Sequence, residues 1–139
     1  MRVTLTNEQT GLSFDEGRFV QEVTTLATEA GLRGELSVAV ITDDAIHALN
    51  REFLSHDYAT DVLAFPLDEE EFEVVVSADR AREEAASRGV EPLAELMLYV
   101  AHGILHLAGY DDHDPDDARR MHEATLKLLR PLGYRNTII

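Results

Sequence analysis

The segment Leu93 to Leu107 is apolar on nearly every face of a helix, yet two histidines, His102 and His106, are set into it. A helix that is apolar all round belongs inside a fold rather than on its surface. Any structure this chain adopts must therefore place that segment at its centre and wrap other elements around it. His102 and His106 stand i, i+4, so both imidazoles leave the helix on one side. Buried polar groups without partners cost about 1–3 kcal/mol each. One metal ion ligated by both rings removes that cost. The competing reading is two core histidines satisfied by protein neighbours.

The residues after the pair favour the metal. Gly109 lies just past the last apolar turn, where a left-handed residue ends a helix. The chain then folds back and brings Asp111, Asp112 or His113 toward the two rings. Three protein ligands with an open fourth position mark a catalytic site. Zinc proteases of the HExxH type carry a glutamate directly after the first histidine as general base. Here Gly103 holds that place, and protease chemistry lacks its proton acceptor. Gly103 is also expected to let a substrate come close beside the metal. The acidic run Asp111 to Asp117 is not a calcium loop, because aspartate stands where that loop requires glycine. The spare carboxylates instead favour the N-terminal dipole of the next helix. Glu95 reads as a first-turn glutamate with a weaker claim to a supporting role behind the metal. His47, His56 and His122 read as ordinary surface histidines. Thr60-Asp61 is balanced between a cap and a site role.

At 139 residues, 45% of them apolar, the chain is expected to be one domain over residues 1–139. It has no cysteine, which leaves His, Asp and Glu as metal ligands. No apolar run reaches membrane-spanning length, and residues 1–6 lack a signal-peptide pattern. The expected setting is soluble and cytoplasmic, without a membrane partner. A net charge of −15 argues against a protein that coats nucleic acid through its overall field.

The periodicities predict strands over residues 3–6, 36–41, 61–65 and 72–77. Helices are predicted over 15–30, 43–54, 78–87, from Pro92 through His106, and from Asp114-Pro115 to about Arg130. Phe19, Val20, Val23 and Leu26 face inward on the first, and Ile46, Leu49 and Phe53 on the second, which Thr42 or Asp43 caps. Met121, Leu126 and Leu129 do so on the last. Asp68 to Glu71 reads as a solvated turn. The expected fold class is α+β, sandwich-like. It has a small mixed sheet of about four strands and about five helices, the histidine-bearing helix central.

The run His102-Gly103-Ile104-Leu105-His106-Leu107-Ala108-Gly109-Tyr110-Asp111 resembles the signature of the YbeY family of bacterial metal-dependent endoribonucleases. Leu49-Asn50 with Thr60-Asp61-Val62-Leu63-Ala64-Phe65-Pro66 resembles a second block of that family. Val74-Val75-Val76-Ser77 and the helix after it resemble a third. Similarity spans about residues 36–130. The resemblance implies one zinc ion, or another divalent metal, held by three side chains in a cleft. It also implies hydrolysis of single-stranded RNA in maturation of small-subunit ribosomal RNA, with that RNA and the small ribosomal subunit as partners. His102 and His106 match the first two ligands. The third family ligand falls on Asp112, with His113 as rival; a set of two imidazoles and one carboxylate also suits iron and manganese. The family arginine that meets phosphate is replaced by Leu54, leaving Arg51, Arg80 and Arg82 as cations for that role, with Arg51 one turn before Leu54. Phe72-Glu73 replaces the family Gly-Asp before the strand at Val74. These departures leave a second reading open, a non-catalytic ribosome-associated factor with a structural metal. A metalloprotease-like hydrolase is the third.

Overall fold

Leu36, Val38 and Val40 alternate with Ser37, Ala39 and Ile41, the period of a strand with two unlike faces. In the computed structural model, which describes residues 1–54 and 60–134, both faces are covered. The elements run β1 (Arg2–Asn7), α1 (Glu16–Glu29), β2 (Glu35–Ile41), α2 (Asp43–Leu54), β3 (Val62–Asp68), β4 (Glu71–Ser77), α3 (Ala78–Arg88), α4 (Pro92–Leu107) and α5 (Pro115–Leu129). A short 3-10 turn, Arg130–Leu132, comes last. The sheet order is β1-β2-β4-β3. The pairs β1–β2 and β2–β4 are parallel, and β3 is the antiparallel edge.

Leu36, Val38, Val40, Val74 and Val76 face one side, with Phe19, Val23 and Leu26 of α1 and most of α4. Ile41, Val75 and Leu63 face the other and meet Ile46 of α2. The result is the expected α+β class, with α2 on one face and α1 and α4 on the other. α4 touches β3, β4, α1, α3 and α5. Its buried residues run from Ala94 through Leu105 with a single interruption at His102.

Gly103 explains how α4 lies so close to the sheet. A Cβ there would meet Val74 Cγ1 at 3.1 Å and Val62 Cγ2 at 3.2 Å. The small residue makes room for β3 and β4, which corrects the expectation that it makes room for substrate.

The Asp114 cap agrees with its sequence signal, whereas Asp15 proves to cap α1 rather than to be its first residue. Asp15 accepts a hydrogen bond from Arg18 N, and Asp114 accepts one from Asp117 N. Thr42 rather than Asp43 caps α2, its hydroxyl accepting from Ala45 N. Gly109 adopts φ 104° after α4, where its N–H reaches His106 O and Tyr110 N reaches Leu105 O. The β3–β4 turn is tighter than expected: Asp68 and Glu71 pair across the hairpin, leaving Glu69 and Glu70 to turn. Val20, Leu49 and Leu126 are half-buried rather than core. The side chain of Phe53 lies outside the described residues.

Candidate metal centre

α4 runs along one side of a cleft of about 560 Å³. The cleft lies between α3, α4 and α5, with Thr60-Asp61 before β3 completing one wall. On α4, Glu95, Leu98, Tyr99 and His102 form one stripe along it, spaced by three or four residues. On α3 the stripe is Arg80, Glu84 and Arg88, each four residues apart. α5 adds Met121, His122 and Thr125, and the α4–α5 loop adds Asp112.

His102 is half-buried in this cleft, whereas His106, one turn on, is exposed and does not line it. The argument from two buried imidazoles therefore holds for His102 alone, since water reaches His106. Neither ring meets a hydrogen-bond or ion-pair partner among the described residues. The three candidates for third ligand separate clearly. His113 Nδ1 lies 2.8 Å from Asp111 Oδ2, and His113 N donates to Asp111 Oδ1 at 2.8 Å. That pair is closed on itself, with the His113 side chain 83% exposed. Asp112 alone of the three opens onto the cleft with His102. Among the described residues, no three His, Asp or Glu side chains stand close enough to hold an ion as arranged here. The donor set nevertheless fits a zinc-like ion in type: two imidazoles on successive turns without protein partners, and a carboxylate on the adjoining loop.

Glu95 is far more than a first-turn glutamate. It is 1% exposed, and Arg88 Nη1 donates to its two oxygens at 3.4 and 3.5 Å. Burial pushes its pKa up, and the Arg88 guanidinium partly offsets this. Arg88 is shared with Glu84 at 3.6 Å. The Tyr99 hydroxyl donates to Arg80 O at 3.4 Å, and burial together with the nearby Glu95 charge raises its pKa. His122 also departs from its expected surface role, being half-buried in the cleft wall. Asp61 lines the cleft, which places Thr60-Asp61 at the site as well as at the strand start. Of the cations read from sequence, Arg51 is exposed on α2 and away from the cleft. Arg82 lies by a separate hollow with Asp43, Asp79 and Glu83. Arg80 lines the cleft itself. His47 is half-buried on α2, and His56 lies outside the described residues.

Glu95 was visible in the sequence as a residue two turns before His102 on the same stripe. Its ion pair with Arg88 depends on how α3 packs on α4, which no spacing encodes.

Residues 4–133 match the family described as Endoribonuclease YbeY. The Endoribonuclease YbeY of Carboxydothermus hydrogenoformans is 36% identical over 137 residues, covering 93% of this chain and 96% of that protein. That of Rhodopirellula baltica is 42% identical over 113 residues, 77% of this chain and 58% of the relative. That of Anaeromyxobacter dehalogenans is 48% identical over 105 residues, 71% and 54% respectively. The chain thus spans little more than half the length of these last two relatives. A solution structure of a Thermotoga maritima protein shares the fold, with a TM-score of 0.63 at 24% identity over 97% of this chain and 96% of that one.

Proposed function

The chain belongs to the Endoribonuclease YbeY family, and from that premise we propose that it is a metal-dependent endoribonuclease acting on single-stranded RNA. The observation that carries the reading is the cleft along the central helix that both His102 and Asp112 line. His102, His106 and Asp112 would hold one divalent ion, zinc by donor type. When bound, such an ion supplies Lewis acidity toward a phosphoryl oxygen and a hydrolytic water of lowered pKa. The rest is done by the chain. Tyr99 and the Arg88–Glu95 pair fix the floor. Asp61 and Glu84 set a negative field that leaves a phosphodiester dependent on local cations for entry. Ribosomal RNA of the small subunit is the proposed substrate, in a cytoplasmic setting. No helix among the described residues is long and apolar enough to cross a membrane.

Elemental analysis and an RNA cleavage assay test this together. The chain purified without chelator is expected to carry about one zinc-like ion per chain, as a site with three protein ligands does. His102→Ala and His106→Ala are expected to lose the ion and to slow cleavage of single-stranded RNA by about 100-fold or more. A metal-free chain, or equal cleavage by wild type and His106→Ala, refutes the reading. Leu54 at the family arginine position favours one other reading, a ribosome-associated factor with a structural metal. It predicts a loaded site, no cleavage at any metal level, and co-sedimentation with ribosomes that survives His106→Ala.

A further inference from the structure

The cleft contains a guanidinium whose bonds are incomplete. Arg80 Nε–H is buried and has no acceptor among the described residues. Among the described residues its ion pair is loose: Arg80 Nη2 stands 3.7 Å from Asp43 Oδ2. A charge-assisted hydrogen bond is shorter, about 2.7–2.9 Å. The other Asp43 oxygen already accepts from the Ser77 hydroxyl at 2.6 Å. The backbone of Arg80 is pinned, its N–H donating to Ser77 Oγ at 3.1 Å and its carbonyl accepting from Tyr99. Arg80 thus lines the cleft with a side chain about one third exposed, and the neighbours described leave its guanidinium unsaturated.

We propose that Arg80 binds a backbone phosphate of single-stranded RNA in the cleft. This rests on the ribonuclease reading above. The other cations do not compete for the role. Arg88 is committed to Glu84 and Glu95. Arg82 faces the separate hollow, with Nη1 4.0 Å from Asp79. The remaining charged walls, Asp61, Glu84, Glu95 and Asp112, are acidic, so an anionic strand needs a cation here beyond the metal. An arginine fork matches two phosphate oxygens where a lysine meets one point.

The test is fluorescence anisotropy of a short labelled single-stranded RNA with the full chain, titrated with salt, once with and once without added zinc. Arg80→Gln is expected to weaken binding about tenfold and to lower the slope of log affinity against log salt by about 0.7 under both conditions, as loss of one phosphate contact does. Arg82→Gln should stay within about twofold of wild type. Wild-type affinity and slope in Arg80→Gln, or an equal loss in Arg82→Gln, overturns the assignment while leaving the ribonuclease reading intact. Should Arg80→Gln fail to fold, Arg80→Lys carries the test. It keeps the charge and is expected to keep the slope but lose affinity several-fold; unchanged affinity overturns the proposal. A wild-type chain that binds no single-stranded RNA overturns the ribonuclease reading itself, and Arg80 with it.

Discussion

Glu95 and its partner Arg88 sit where burial and charge oppose each other, and the sign of that balance is measurable. Burial raises the Glu95 pKa from its usual 4.5, and Arg88 only partly cancels the effect. The folded chain therefore holds this proton more tightly than the unfolded chain. The resulting stability is fully present below the unfolded value and is lost as pH rises through the folded one. Arg88, Glu84, Asp61 and Tyr99 are the charged and titratable groups that set this value. Glu95→Gln cannot shed the proton. Urea denaturation from about pH 4 to 8 should show wild type losing stability relative to Glu95→Gln as pH increases. Parallel curves contradict the assignment. Asp114 has the opposite sign: the backbone N–H of Asp117 holds its carboxylate below the usual range, as an N-cap does. At this scale the sequence marked Asp114 correctly as a helix start, because a cap is a local bond across three residues. Spacing alone left Asp111, Asp112 and His113 open as third ligand, and the family resemblance put it on Asp112 with His113 as rival. In the structure His113 turns to Asp111 while Asp112 lines the cleft, an arrangement that depends on how the loop folds back.

The central helix carries its own test. Gly103 admits β3 and β4 against α4, with two valine side chains 3.1 to 3.3 Å from where a Cβ would sit. Gly103→Ala gains about 1 kcal/mol of helix propensity but forces overpacking that costs about 1–3 kcal/mol. Because Val74 is a fully buried strand residue and cannot swing aside, the net expectation is a loss of about 1 kcal/mol. Chemical denaturation measures it, and a stabilised variant contradicts the packing argument. α4 was legible as a central helix because hydrophobicity around all of its faces demands burial on all of them. The purpose of Gly103 was not legible, since a missing side chain looks the same beside a sheet or beside a substrate.

Across the whole molecule, the chain is tied near both ends. Tyr134, after the last helix, donates a hydrogen bond to Glu22 of α1, which is 8% exposed and also pairs with Arg18 at 3.6 Å. Tyr134→Phe leaves a nearly buried carboxylate with one salt-bridge partner. It should cost about 1–2 kcal/mol and lower Tm by roughly 3–6 °C, read by calorimetry. An unchanged Tm makes the tie incidental. The alternation of apolar residues along the strands and the all-round apolarity of α4 determined the class of fold and its central element. Both are one-dimensional consequences of which faces must leave water. The spacing of His102 and His106 determined that two imidazoles share one side of that element. Only the tertiary structure decided that His102 lies in the cleft while His106 lies outside it, that Glu95 and His122 join the cleft, and that Arg80 rather than Arg51 or Arg82 looks into it. Those outcomes depend on how three helices pack together, and side chains distant along the chain become neighbours only when the core closes.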